Sequence, residues 1–294
     1  MRPLVSLAQC AILVPLLAGC PMPQPASPLP TAAAAVERMK ASATCGNGVL
    51  ATAKIDFFGP QGRVRADLSM LTSTPASLRM DVFSSFNTQL ATLTSDGARF
   101  ALADMREKRF LYGPASACNI ARLTQVPIPG HALVSLLRGQ APVLKHDTAA
   151  GTVAWSGSGY YVVTIPSTRD ATQEIHVTPH PADLGKPWSE QRMRVLRVTV
   201  RQYGDVLYDA KMDDHRPTAM AKERVDPDGL DAPIQPSGPV CEAELPRKIE
   251  VAVPMQDEEV VFTYSNVTWN PPLPEGVFLQ QPPGGLPIIP VRCD

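Results

Sequence analysis

Six cysteines and five histidines carry the most versatile side-chain chemistry in this 294-residue chain. A thiol can be acylated, can pair oxidatively or can ligate metal, and spacing decides among these fates. There is no C-x-x-C, so neither a zinc ribbon nor a thioredoxin-like redox motif is expected. His176 and His180 have i, i+4 spacing, but Pro179 interrupts the segment and the glutamate of a zinc protease is missing between them. Asp213-Asp214-His215 places ligand-type side chains in a polar stretch, where solvated charge is the expected state. Gly157-Ser158-Gly159 reads as a turn without the G-x-S-x-G spacing of a nucleophile elbow, and no Walker loop or dinucleotide fingerprint occurs. The expectation is a protein that is not an enzyme and carries no cofactor or metal.

Cys20 stands apart from the other thiols because of what precedes it. Residues 1–19 begin with Arg2, continue through the apolar run Leu4 to Leu17 and contain Pro15. That run is shorter than the about 20 residues a spanning helix needs, and it reads as a signal peptide. Its end, Leu17-Ala18-Gly19-Cys20, resembles the lipobox of bacterial lipoproteins, in which the cysteine is acylated and becomes the N-terminus after cleavage. At about 0.8 kcal/mol per buried methylene, two or three acyl chains amount to a permanent anchor, so a tethered rather than a spanning protein is expected. Pro21, where aspartate would signal retention in the inner membrane, implies by the same resemblance the outer membrane, with the protein facing the periplasm. Five prolines within 21–30 make residues 20–31 a lipidated, semi-rigid linker lifting the domain off the bilayer. In that oxidising compartment Cys45, Cys118, Cys241 and Cys293 form an even set, for which two disulfides are expected. Three connectivities are open, and the pairs nearest in sequence, Cys45–Cys118 and Cys241–Cys293, are favoured.

The elements that must hold these residues are mostly strands. The chain has 27 Lys and Arg against 28 Asp and Glu, a net charge of −1, which gives no electrostatic case for nucleic acid. Its 31 prolines, about twice average usage, argue against long helices. One helix is expected at Ala32 to Ala43, capped by Thr31. The period then becomes two: Val49, Ala51, Ala53, Ile55 and Phe57 alternate with Thr52, Lys54 and Asp56, and Val64, Ala66, Leu68 and Met70 alternate with Arg63, Arg65, Asp67 and Ser69. Leu78, Met80 and Val82 continue the pattern, followed by strands at 88–95, 99–103 and 108–112. Helical spacing at 119–126 and 130–138, with Leu133, Leu136 and Leu137 on one face and Gly139 as a stop, interrupts the strands. Further strands are expected at 143–146, 152–156, 160–166, 174–178, 191–203 with a bulge near Val195, 206–212, 247–253 and 258–270. Residues 213–240 read as a long surface loop, and 271–294 as an irregular proline-rich tail pinned by Cys293.

So many sequential strands imply a mainly β fold: an incomplete antiparallel β-barrel over residues 32–270, with about 11–13 strands and a few short helices as a lid. The inward set Val49, Ala51, Ala53, Ile55, Val64, Leu68, Leu78, Met80 and Val82 bears no charge, so any cavity it lines is apolar. Val126-Pro127-Ile128-Pro129 followed by Leu133, Leu136, Leu137 and Gly139, together with Leu245-Pro246-Arg247-Lys248-Ile249 through Val267-Thr268-Trp269-Asn270 to Phe278 and Pro283-Gly284, resembles the LolA/LolB superfamily of lipoprotein carriers and receptors, its lipid-anchored LolB-like branch above all. The resemblance covers most of the chain after residue 32, while the extra cysteines, the 213–240 loop and the tail depart from it.

That resemblance implies helices closing over an acyl-chain cavity, here the inward set with Leu133, Leu136 and Leu137. It implies a monomer that receives acylated lipoproteins from a periplasmic LolA-like carrier and inserts them in the outer membrane. It also implies an exposed apolar residue on the membrane-insertion loop containing Phe83 and Phe86. Two other roles fit the same residues: an assembly protein presenting its loop and tail, and a lipid sensor without transfer activity.

Overall fold

The computed structural model describes residues 22–60 and 62–293. The signal peptide, Cys20 and Pro21 lie outside the described residues. Helix α1 (Ala32–Ala43) begins at Thr31, whose hydroxyl accepts the Ala34 N–H at 3.1 Å. Six antiparallel strands follow as a meander: β1 (Gly48–Gly59), β2 (Gly62–Ser73), β3 (Ser77–Phe83), β4 (Gln89–Ser95), β5 (Arg99–Asp104) and β6 (Arg109–Pro114). Helices α2 (Ala117–Thr124) and α3 (Gly130–Leu137) form the connection to a second meander. Its strands are β7 (Thr152–Trp155), β8 (Tyr161–Pro166), β9 (Ala171–Pro179), β10 (Met193–Gln202), β11 (Asp205–Met220), β12 (Ala243–Val253) and β13 (Glu258–Trp269). A short last strand, β14 (Ile288–Pro290), runs parallel to β6.

The fold is mainly β: one large, mostly antiparallel sheet of 14 strands in the order β14-β6-β5-β4-β3-β2-β1-β13-β12-β11-β10-β9-β8-β7. The two meanders join through the β1–β13 ladder, where Val49 faces Trp269 and Phe57 faces Val260. The sheet is open, with β14 and β7 at its edges. Register shifts at Thr52/Ala53, Val82/Phe83, Val195/Arg197 and Val200/Arg201 add the local twist that bends strands, the third of them beside the expected Val195. One hydrophobic cluster joins the inward residues of both meanders to all three helices, so the sheet curls around its own connector.

Period-two reading locates these strands because one face is wet and the other packs on that cluster. Helix α3 fills the middle, with Leu133, Val134, Leu136 and Leu137 fully buried. Pro127 and Pro129 separate it from α2, and Gly139 ends it at φ +71°, where the Pro246 ring leaves no room for a side chain. The Tyr264 hydroxyl donates to the Leu137 carbonyl at 2.8 Å and ties this helix end to β13.

Five expectations need correction. Residues 143–146 are not a strand; they carry the chain from α3 back to β7, and Gln173 holds them by accepting the Leu144 N–H and donating to the Pro142 carbonyl. Strand β11 runs on to Met220 and β12 starts at Ala243, so the irregular segment begins at 221 rather than 213. Residues 22–31 do not stand away as a spacer: the Leu29 N–H donates to the Tyr161 hydroxyl, Ser27 Oγ accepts the Trp188 N–H, and Met22 docks on the β7–β8 turn through Gly157 and Trp155. The tail is ordered, since β14 pairs with β6 and Gln280 donates to the carbonyls of Thr92 and Ala101. Finally, the disulfides join Cys45 to Cys241 and Cys118 to Cys293, with Cα atoms 6.1 and 6.3 Å apart. Pairing by nearness in sequence fails because the β1–β13 seam brings distant parts of the chain together.

Buried Asn270 closes that seam: Oδ1 accepts from the Asn47 and Gly48 N–H groups at 2.7 and 3.3 Å, and Nδ2 donates to the Cys45 and Pro239 carbonyls. Replacing Asn270 by Ala leaves these groups unpaired and is expected to lower stability by about 2–4 kcal/mol in urea denaturation. An unchanged midpoint would remove Asn270 from this role. Peptide mapping without reduction is expected to recover the Cys45–Cys241 and Cys118–Cys293 pairs.

Candidate functional sites at the two ends of the sheet

Toward the β1–β2 turn the core thins. Along β1 the inward positions pass from fully buried Val49, Ala51 and Ala53 to half-buried Ile55 and Phe57. A cleft of about 540 Å³ with a mixed wall opens there: Ile55, Phe57, Val64, Val82, Leu102 and, from α2, Leu123 form its apolar side, and Arg65, Asp104, Arg106, Glu107, Arg122 and Glu258 form a charged one. This volume lies in the range of about 300–1,000 Å³ typical of small-molecule sites. Of the inward residues expected to line a cavity, Ile55, Val64 and Val82 line this cleft. Val49, Ala51, Ala53, Leu68, Leu78, Met80, Leu133, Leu136 and Leu137 are buried in the packed core instead. On the outer face nearby, the Arg63 and Arg65 guanidinium groups hold the Asp56 carboxyl down to a pKa of about 2.

The β3–β4 loop projects from the same end. Ser84 organises it: its N–H donates to the Thr88 carbonyl at 2.9 Å, its carbonyl accepts from Asn87, and its Oγ accepts the Phe86 and Thr88 N–H groups. Asn87 adopts the left-handed conformation at φ 58°. This turn holds Phe86 in solvent, 90% exposed, while Phe83 is half-buried.

The opposite end, where β1 starts and β13 ends, holds a basin of about 620 Å³ between α1, the segment after α3 and strands β10–β12. Its walls are mixed. Met39, Ala141, Val143 and Val195 supply apolar surface, and Arg138, Arg192, Arg194, His180, His215 and Glu244 supply polar groups. Two of the arginines are neutralised. Arg194 makes a two-pronged pair with Glu244 at 2.7 and 2.8 Å, and Arg192 pairs with fully buried Asp183 and with Glu242. Hydrogen bonds from Arg192 and Lys186 hold the Asp183 carboxyl well below the usual carboxylate range.

Arg138 has no such partner. It is 2% exposed, Nη2 donates to the Gly46 carbonyl, Nε has no partner, and the group lies 5.6 Å from the Trp269 ring centroid. Burial alone shifts this guanidinium, down to about 10. Leaving a charge buried and uncompensated costs several kcal/mol, so an arginine here opposes stability. The buried nitrogens Trp269 Nε1 and His215 Nε2, both on residues of the basin wall, also lack partners among the described residues. Sequence reading missed this site, because Arg138 looks like an ordinary helix C-terminus and its isolation is visible only in three dimensions.

The other histidine candidates are absorbed by structure. His176 stacks on Tyr160 and bonds Glu174 at 2.7 Å, while His180 lies 3.2 Å from Glu244. Among the described residues no group of three metal-ligating side chains converges, and no helix is long and apolar enough to cross a membrane.

No protein-family model matches the chain, and comparison with curated proteins finds no match. Solved structures do share its shape. A DUF1329 family protein from Desulfovibrio piger aligns over 84% of this chain and 95% of its own at 9% identity, with a TM-score of 0.50. A LolA superfamily protein from Nitrosomonas europaea aligns over 85% and 98% at 12% identity, TM-score 0.49. A putative outer membrane lipoprotein-sorting protein domain from Vibrio parahaemolyticus aligns over 85% and 96% at 12% identity, TM-score 0.43. At these identities the likeness is one of fold.

Asp183 provides a test of the charge network beside the basin. Asp183→Asn removes the charge bonded by Arg192 and Lys186 and, since Arg192 is partly exposed and keeps Glu242, is expected to cost about 1–2 kcal/mol at pH 7 in chemical denaturation. A carboxyl whose pKa is depressed by folding stabilises above its unfolded value near 3.9, and loses that contribution as pH falls toward its folded value. The gap between wild type and Asp183→Asn should therefore narrow as pH drops below about 4. A gap independent of pH would contradict the assignment.

Proposed function

We propose that this protein is a lipid-anchored envelope protein that binds acyl chains at the β1–β2 end of its sheet, receiving them from acylated proteins that a soluble LolA-like carrier delivers. The observation that carries the reading is that the apolar side of the cleft and a phenyl ring held in water lie at the same end of the sheet: Ile55, Phe57, Val64, Val82 and Leu123 inside, Phe86 outside. The turn around Ser84 and Asn87 holds Phe86 out in water at this end of the sheet, where it can meet an apolar chain. The lipobox-like segment ending at Cys20 and the LolB-like stretches support the same reading. The cargo is then an acylated lipoprotein and the destination the outer membrane.

Transfer needs no nucleotide if the bilayer is the better solvent. A sixteen-carbon chain has about 15 methylenes, so roughly 12 kcal/mol opposes its exposure to water. A cleft of this size covers part of such a chain, and α2, which contributes Leu123 to the wall, is the element that would shift to cover more. Met22 docks at the far end of the sheet from Phe86. An anchor at Cys20 therefore leaves the Phe86 end directed away from the anchored leaflet, toward arriving cargo. In this reading Phe86 makes the first contact with the delivered chain rather than with the anchoring bilayer.

The full chain carrying Cys20→Ser is expected to bind a fluorescent palmitate analogue displaceably. Val64→Glu, at a position 54% exposed and so tolerated by the fold, should weaken that binding at least tenfold. Phe86→Glu should leave affinity and unfolding midpoint unchanged, within about 0.5 kcal/mol, while slowing uptake of an acylated protein from a carrier. Absence of displaceable binding to the wild type would overturn the reading, and unchanged uptake by Phe86→Glu would discard the role of the loop.

A further inference from the structure

The cleft leaves the opposite end of the molecule unexplained. There the chain keeps a guanidinium almost wholly out of water, with a carbonyl as its hydrogen-bond acceptor and, among the described residues, no carboxylate against it. The neighbouring arginines show that the sequence pairs its cations when stability is the only demand: Arg192 has Asp183 and Glu242, and Arg194 has Glu244. Arg138 is the exception, and it forms part of the wall of a basin of about 620 Å³. Two further buried nitrogens without partners, Trp269 Nε1 and His215 Nε2, belong to the same wall. His215, which burial holds toward its neutral form, can donate or accept, but an indole N–H and a guanidinium only donate, so Trp269 Nε1 and Arg138 Nε both lack an acceptor, and for Arg138 a negatively charged one completes the pairing. Met39, Ala43, Ala141, Val143, Met193 and Val195 supply an apolar side to the basin, beside polar Ser42, Gln140 and Thr218 and the charges of Lys40, Glu242 and Glu244.

We propose that the basin is a second binding site, for an amphiphile with a single oxyanion head, carboxylate or phosphate, that pairs with Arg138 while its apolar stem lies along the Met39–Val143–Val195 wall. A head of this kind supplies both the charge that Arg138 lacks and acceptors for nearby N–H groups, and two guanidinium nitrogens can be met by two oxygens of one head. The apolar wall separates such a ligand from a free inorganic anion, which would gain nothing from it. The site is independent of the acyl cleft, which lies at the other end of the strands. It is held in place by the Cys45–Cys241 disulfide, whose second cysteine lines the basin, and by the Asn270 cluster beneath it.

Calorimetric titration of the full chain carrying Cys20→Ser tests this with four probes: octanoate, octyl phosphate, octanol and inorganic phosphate. Binding of octanoate, octyl phosphate or both, at least tenfold tighter than octanol and inorganic phosphate, is expected, and the preferred head tells whether a fatty acid or a phosphorylated lipid is the source. Arg138→Gln should weaken the anionic probe at least tenfold and leave octanol unchanged. Arg138→Met should leave the melting temperature unchanged or raise it, which a purely structural arginine would not do. Ala243→Trp, which fills the basin, should abolish binding of the anionic probe, and Val64→Glu should not affect it. Equal binding of octanol and octanoate, equal binding of inorganic and octyl phosphate, or an Arg138→Gln variant that binds like wild type would each overturn the proposal.

Discussion

A sheet of this width must bury one whole face, and here the burial is achieved by the chain's own connector. Where β6 and β7 would have to meet to close the curl, the sequence instead supplies α2 and α3, and α3 drives Leu133, Val134, Leu136 and Leu137 into the interior. In one hydrophobic cluster the inward faces of both meanders pack on that helix. It divides the interior space into two unlike ends, because a plug in the middle leaves room only beyond its termini. Toward α2 a cleft remains whose apolar side, Ile55, Phe57, Val64, Val82 and Leu123, is rimmed by charged strand tips. Beyond the C-terminus of α3 stands Arg138, and the space there acquires a positive wall.

The outer face obeys a different rule. Lys54–Asp67, Arg197–Asp209 and Lys211–Glu250 link neighbouring strands across the wet side. Such partly exposed pairs contribute about 0–1 kcal/mol each and keep the outside soluble more than they hold it together. Cohesion comes instead from the inner cluster and the β1–β13 seam. Asn270 and the Cys45–Cys241 disulfide gather residues separated by about two thirds of the chain at that seam, the two cysteines lying 196 positions apart.

Strands were legible in the sequence wherever one face is wet and the other packed, as in Val49 to Phe57 against Thr52, Lys54 and Asp56. The capped helix at Ala32–Ala43 was equally legible, since Thr31 and the alanines after it act locally. What failed depended on distant partners. Residues 143–146 read as a strand, but the Leu144 N–H and the adjoining Pro142 carbonyl are met by the side chain of Gln173 rather than by a ladder. The cysteine pairs follow strand order in space, which no local pattern records. Val64 was placed on the correct side of its strand, yet sits half in water because the core thins around it. Arg138 could not be singled out at all, for the isolation of a charge is a property of its whole neighbourhood.

The proline-rich tail has a meaning beyond its pinning by Cys118. As β14 it occupies the outer margin of the sheet with Ile288-Ile289-Pro290, directly after Pro287. Proline offers no N–H to a newcomer, so a margin finished this way refuses further strands. At the other margin Met22 and Trp155 perform a similar service beside β7. Both margins of the sheet are thus covered by the chain's own segments, which disfavours edge-to-edge pairing between copies.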